Sequence, residues 1–230
     1  MALNPIRAIF FDCNGVIADD EPIHLKLFQK VLSEEGIRLT QKEYFQKYLA
    51  MDDKSCFKDV MVRHLRPHAA KDVSALVERK AAYYQKVITK ELRIFPGVKN
   101  FVKMHSRRYP LAVVSGALLR EIELILKSGG LRKYYEFLIS SEDVSRGKPD
   151  PQCYKLALKK MSRMGIFQSK RLKPADCIAI EDSVHGVIAA QEAGMKCLAV
   201  TNSYTRKALA HADWVCDSLE GIDIDEYCHG

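Results

Sequence analysis

The sequence lacks the features of membrane-spanning, secreted and disulfide-stabilised proteins. Its longest apolar runs are far too short to span a bilayer, so we expect no membrane partner. The N-terminus has no basic segment leading into a long apolar stretch, so a secretory signal is not expected. The seven cysteines are odd in number and form no C-x-x-C pair, which indicates reduced thiols. Together these absences predict a cytoplasmic protein.

A nucleic-acid-binding motif is also missing, although the formal net charge is +7. The basic residues are scattered, apart from a small group over 163–173 that reads as solvated charge. A basic surface of this kind serves either nucleic-acid binding or the attraction of anionic metabolites. We favour the second interpretation and expect no nucleic-acid partner.

The periodicity of apolar residues divides the 230-residue chain into a helical insert and an alternating segment. Four helices are predicted after Gly15: one over 22–35, one capped by Thr40, one from Asp52 to 65 that Pro67 stops, and one over 72–90. Strands are predicted at 8–11, 111–114, 137–139, 177–180, 196–200 and 214–215, with helices at 120–127, 151–161 and 184–193. Alternation of this kind predicts an α/β fold: a doubly wound parallel, Rossmann-like sheet over 1–18 and 94–230, with a four-helix insert over 19–93.

Chemically capable residues follow four of these strands. Asp12 ends the first, Ser115-Gly116-Ala117 follows the second, and Lys148 lies in a loop that enters a helix. Glu181-Asp182 ends a further strand, where two buried carboxylates are costly unless a cation is near. Taken singly, each has an ordinary structural explanation, such as a turn, a surface lysine or a helix cap. Their shared place at the carboxyl edge of one sheet, where open α/β folds bind ligands, predicts a single site.

The order and spacing of these motifs resemble the haloacid dehalogenase (HAD) superfamily. The segment 10–16, FFDCNGV, is similar to that family's opening Asp-x-Asp-Gly-Val/Thr motif. The segments 19–22 and 180–195 resemble the subfamily with a helical C1 cap, which contains β-phosphoglucomutase and small sugar-phosphate phosphatases. The insert over 19–93 would then be that cap.

The resemblance implies a role for each motif. Asp12 would attack phosphorus and carry the phosphoryl group as an aspartyl phosphate. Ser115 with the amides of Gly116 and Ala117 would bind the phosphoryl oxygens, and Lys148 would offset negative charge and orient Asp12.

The resemblance also implies a Mg²⁺ cofactor. Its ligands would be Asp12, the backbone carbonyl of Asn14 and Asp182, with Glu181 binding directly or through water. The expected activity is a Mg²⁺-dependent phosphatase acting on a small phosphorylated metabolite. A sugar phosphomutase and a catalytically weak phosphate-binding protein are the alternatives. A monomer or weak homodimer is expected.

Asn14 departs from the family pattern, which has an aspartate as general acid/base at this position. Asparagine cannot exchange a proton near neutral pH, so catalysis is expected to be impaired. Four explanations remain open: an engineered Asp→Asn change, a natural substrate with a good leaving group, a natural phosphate-binding protein, and partial deamidation at Asn14-Gly15. Dehalogenase relatives also lack the second aspartate, but they use no metal and lack a pair like Glu181-Asp182.

Five residues of the insert are predicted to choose the substrate. Asp20 and His24, at i and i+4, could share a hydrogen bond. Lys80 resembles a cap lysine of the mutases, with a solvated helix face as the alternative. The segment 49–54 resembles the cap's specificity loop, where Asp53 would repel a second phosphate unless Lys54 compensates.

Overall fold

The computed structural model describes residues 6–49, 51–64, 70–167 and 171–228. The chain divides into two compact units at Asp19/Asp20 and at Arg93/Ile94. We call the unit that contains 20–93 the helical unit and the other the core unit. Within the described residues, no helix is long and apolar enough to cross a membrane.

The described residues of the helical unit form four helices: α1 (Glu21–Glu34), α2 (Gln41–Lys47), α3 (Asp53–Arg63) and α4 (Ala70–Glu91). Helix α1 has a proline in its first turn, and the chain leaves the helix through Gly36, whose positive φ of 72° suits glycine. Thr40 accepts a hydrogen bond from the Glu43 amide at 3.1 Å, and Asp52 accepts one from the Ser55 amide at 3.0 Å. Both side chains therefore cap the helices that the sequence assigned to them. The predicted stop at Pro67 lies outside the described residues.

Within 6–19, 94–167 and 171–228, the core unit forms a six-stranded, all-parallel sheet. Its strands are β1 (Ala8–Phe11), β2 (Leu111–Val114), β3 (Phe137–Ile139), β4 (Cys177–Glu181), β5 (Lys196–Val200) and β6 (Trp214–Cys216). Their spatial order is β3-β2-β1-β4-β5-β6, the order of the doubly wound Rossmann fold. The predicted fold class is confirmed. Strands β1 to β4 are buried throughout, as expected of a parallel sheet covered on both faces.

The part of the core unit that the structure describes also has four α-helices: α5 (Val98–His105), α6 (Leu119–Ser128), α7 (Gln152–Met161) and α8 (Val184–Glu192). The sequence predicted α6, α7 and α8 to within a residue or two at each end but missed α5. Helix α5 is short and begins after Gly97, whose φ is +79°. The order of strands places the ends of β1, β2 and β4 side by side, and this edge carries the predicted site.

Candidate active site

Asp12 stands where β1 ends, at the carboxyl edge of the sheet. Its amide still donates to the Ile180 carbonyl of the adjacent strand at 2.9 Å, so the backbone is held in register. Only 12% of its side chain is exposed. The chain then turns at Gly15, where φ is +76° and an added Cβ would lie 1.9 Å from Asp182 Oδ2. Glycine is therefore required for β1 and β4 to bring these carboxylates together.

Lys148 connects the predicted nucleophile with the acidic pair. Its Nζ donates to Asp12 Oδ1 at 2.8 Å, to Glu181 Oε1 at 2.6 Å and to the Val114 carbonyl at 3.0 Å. These bonds use all three of its protons. Burial lowers the pKa of Lys148, but the charges of Asp12 and Glu181 raise it further, so the net shift is upward and the ammonium stays charged.

Three buried carboxylates form a cluster that fits a divalent cation. Oxygen atoms of Asp12, Glu181 and Asp182 all lie within 4.8 Å of one another. Burial, reinforced by their mutual repulsion, raises the pKa of Glu181 and raises that of Asp182 well above its usual range. Glu181 Oε2 is buried and has no hydrogen-bond partner among the described residues. A set of hard oxygen donors with excess negative charge matches the ligand preference of Mg²⁺.

Asn14 follows β1 and Ser115 follows β2, at the sheet edge where Asp12 lies. Ser115 Oγ is 3.4 Å from Asn14 Oδ1, a long contact, and it accepts a hydrogen bond from the Ala117 amide at 3.2 Å. Gly116 is exposed, and a Cβ placed on it would have no described neighbour within 4 Å. The loop after β2 therefore offers a hydroxyl and an open backbone segment next to Asn14.

Three residues that the sequence analysis did not single out also contact the site. Ser203 Oγ donates to Asp182 Oδ2, and Asn202 Nδ2 donates to the Gly15 carbonyl at 2.7 Å. Tyr154 donates to Glu181 Oε1 at 2.6 Å. Asn202 and Ser203 follow β5, so their position at the same sheet edge was the available signal.

The predicted substrate-binding residues of the insert form a second cluster within the helical unit. His24 Nε2 lies 3.1 Å from Asp20 Oδ2, as its spacing predicted. Lys80 Nζ lies 2.7 Å from His24 Nδ1 and 2.6 Å from Asp53 Oδ1, and Tyr84 donates to Asp20 Oδ2 at 2.5 Å. Burial and Lys80 lower the pKa of His24, but Asp20 and Asp53 raise it enough for a net upward shift. Lys80 is fully buried, so the solvated-face alternative is wrong.

The sequence-based view of Asp53 and Lys54 needs correction. Both residues lie in the first turn of α3 and not in a loop, because Asp52 caps the helix immediately before them. The charge of Asp53 is matched by Lys80 at 2.6 Å, while Lys54 is exposed. The electrostatic argument that Asp53 repels a second phosphate therefore fails, because the carboxylate is already paired inside its own unit.

Comparison with known proteins identifies the family of the chain. The haloacid dehalogenase-like hydrolase family profile matches residues 9–200. The chain is 26% identical over 217 residues to validoxylamine A 7′-phosphate phosphatase of Streptomyces hygroscopicus subsp. limoneus, covering 94% of this chain and 95% of that protein. It is 28% identical over 187 residues to fructose-1-phosphate phosphatase YqaB of Escherichia coli, covering 81% and 92%.

Among solved structures, β-phosphoglucomutase from Clostridium difficile is similar in fold. The TM-score is 0.81 at 21% identity, covering 96% of this chain and 95% of that one. The match of the family profile over most of the chain, from β1 to the end of β5, establishes the assignment. The chain belongs to the haloacid dehalogenase-like hydrolase family.

Proposed function

We propose that this chain is a Mg²⁺-dependent phosphatase that acts on a small phosphomonoester through an aspartyl phosphate on Asp12. The observation that carries the proposal is Lys148, which bridges Asp12 and Glu181 within a buried carboxylate cluster. The two relatives named as phosphatases of sugar-like phosphates support this substrate class. Because Asp53 is paired with Lys80, it no longer distinguishes a phosphatase from a mutase. The names of these two relatives favour the phosphatase.

The metal would be held by Asp12, Asp182 and Glu181, together with the backbone carbonyl of Asn14. Asp182 is kept in place by Ser203, and Glu181 by Lys148 and Tyr154. When bound, the cation supplies positive charge that offsets the charge of the carboxylates and of the phosphoryl oxygens.

The protein's own groups then account for each half of the reaction. A carboxylate oxygen of Asp12 forms a bond to phosphorus while the bond from phosphorus to the leaving oxygen breaks. Ser115 and the amides of Gly116 and Ala117 would hold the phosphoryl oxygens, and Lys148 keeps the nucleophile oriented. Water then attacks phosphorus, which releases phosphate and regenerates the Asp12 carboxylate.

Asn14 limits both halves because it can neither protonate the leaving oxygen nor take a proton from water. A positioned acid/base contributes about 10²–10⁴-fold to rate. The chain as it stands is therefore expected to turn over slowly, and least slowly with substrates whose leaving group departs as an anion. The departure from the family pattern at position 14 affects only the side chain. The backbone carbonyl of Asn14 is still present, so metal binding is expected to persist.

The test is phosphate release from p-nitrophenyl phosphate and a panel of sugar phosphates. Three proteins are compared: the chain itself, Asn14→Asp, and Asn14→Asp combined with Asp12→Asn. We expect Asn14→Asp to raise Mg²⁺-dependent turnover by about 10²–10⁴-fold, and the added Asp12→Asn to abolish it.

Other outcomes separate the alternatives. Isomerisation of a sugar phosphate that requires a bisphosphate primer would support the mutase. Phosphate binding without turnover in either form would support the binding protein. Halide release without Mg²⁺ would contradict the phosphatase assignment.

A further inference from the structure

We propose that Tyr154 is a positioning residue for the metal site: its hydroxyl holds Glu181 through Oε1 and thereby keeps Oε2 available to the cation. The inference deepens the proposed function and rests on it. Within the described part of the chain, the Tyr154 hydroxyl donates to Glu181 and forms no hydrogen bond with Asp12, so its effect passes through Glu181.

The loop between Lys148 and α7 fixes where Tyr154 lies. Tyr154 follows Lys148 by six residues, in the first turn of α7. Asp150 Oδ1 accepts a hydrogen bond from the Gln152 amide at 2.9 Å. Gln152 Oε1 in turn accepts from the Arg146 amide at 2.9 Å, which ties the two ends of the loop together. These hydrogen bonds hold Lys148 and Tyr154 in one loop-and-helix segment, and both side chains donate to the Glu181 carboxylate.

The two oxygens of Glu181 have different surroundings. Oε1 accepts from Lys148 at 2.6 Å and from Tyr154 at 2.6 Å. Oε2 is buried and has no hydrogen-bond partner among the described residues. Leaving a buried carboxylate oxygen without a donor is costly unless a cation occupies that side. Saturating one oxygen therefore reserves the other for a metal.

Close packing keeps the carboxylate from turning around. A Cβ added at Gly186 would lie 1.9 Å from Glu181 Oε2, so the first turn of α8 touches this oxygen directly. Tyr154, which donates to Oε1, is fully buried, and Lys148 Nζ lies 5.3 Å from its ring centroid. Without the Tyr154 hydroxyl, Lys148 would be the remaining donor to Oε1, and the Glu181 carboxylate could tilt toward Lys148.

A merely structural role for Tyr154 predicts a different result. If the ring only fills the core, Tyr154→Phe keeps the packing and leaves metal affinity unchanged. Loss of a group that orients a metal ligand typically weakens metal affinity about 10–100-fold. Because Lys148 remains in place, we expect the lower end, about tenfold.

The chain supplies a matched control in Tyr135. This tyrosine is also buried in the core unit, but its hydroxyl has no hydrogen-bond partner among the described residues. Tyr135→Phe therefore removes a buried hydroxyl without removing a bond to the site. The measurement is Mg²⁺ titration calorimetry on the full chain, on Tyr154→Phe and on Tyr135→Phe, with urea unfolding of each to confirm folding.

We expect the Mg²⁺ Kd to rise about tenfold in Tyr154→Phe and to stay unchanged in Tyr135→Phe. Equal Kd values in all three folded proteins would overturn the positioning role while leaving the proposed function intact. An equal rise in both variants would also overturn it, because the effect would then be general to buried hydroxyls. Absence of Mg²⁺ binding in the unaltered chain would instead overturn the metal-dependent function, and with it this inference.

Discussion

Replacing Gly186 by alanine tests the packing of the carboxylate cluster, because two effects of opposite sign meet there. Gly186 lies in α8, where alanine is favoured over glycine by at most about 1 kcal/mol. A Cβ at this position would, however, lie 1.9 Å from Glu181 Oε2 and 2.4 Å from Oε1. Glu181 must therefore move if the methyl group is to fit.

The movement of Glu181 has a calculable cost. It disturbs hydrogen bonds from Lys148 and Tyr154, and a hydrogen bond to a charged group is worth about 1.5–3 kcal/mol. Overpacking a tight site adds about 1–3 kcal/mol. Against the helix-propensity gain, we expect Gly186→Ala to lower the free energy of unfolding by about 1.5–5 kcal/mol.

Urea unfolding shows whether Gly186→Ala stabilises or destabilises the protein, and a glycine with open surroundings serves as the control. Gly165 begins a short 3₁₀ helix, and a Cβ placed on it would meet no atom of the described residues within 4 Å. Gly165→Ala should therefore be neutral or stabilise by up to about 1 kcal/mol. The reasoning is refuted if Gly186→Ala is as stable as Gly165→Ala, because Glu181 would then not be fixed where the structure has it.

Two further predictions concern buried charges in the core unit. Lys148→Met should lower the free energy of unfolding by about 3–5 kcal/mol in the absence of divalent cations, because Asp12 and Glu181 lose their cationic partner. Urea unfolding in EDTA measures this loss, and an unchanged midpoint would contradict the prediction. His105 Nε2 accepts a hydrogen bond from the Ile224 amide, and burial lowers the pKa of His105. The unfolded chain therefore binds more protons at this residue than the folded chain, so stability falls as the pH drops below about 6.5. His105→Asn should flatten that part of the unfolding-versus-pH curve, and an unchanged slope would count against it.

The sheet and its site edge were predictable because their signals are local. Each buried strand is a short apolar run, and the chemically capable residues stand directly after the runs at Asp12, Ser115 and Glu181. The parallel order then brings these ends together without further information. Lys148 could be assigned for the same reason, since it lies in the loop that enters α7.

The contacts that the sequence did not reveal are those between residues far apart in the chain. For Lys80 the sequence left a solvated helix face open as an alternative, because its partner Asp53 is 27 residues away. Ser203 and Asn202 carry no distinctive motif, so their position just after β5 was the available sign that they lie near Asp182 and Gly15. Helix α5 was missed because a segment of eight residues is too short for a helical period to be recognised.

The central claim is that Asp12 is the nucleophile and that Asn14 interrupts only proton transfer. Acid-quenched mass spectrometry after mixing with Mg²⁺ and p-nitrophenyl phosphate tests it directly, because that leaving group departs without a proton while the attacking water still needs a base. The account predicts one added phosphoryl group on the peptide that contains Asp12, accumulating in the chain itself, not accumulating in Asn14→Asp, and absent in Asp12→Asn. A phosphoryl group on Ser115, or phosphate release that survives Asp12→Asn, would contradict it.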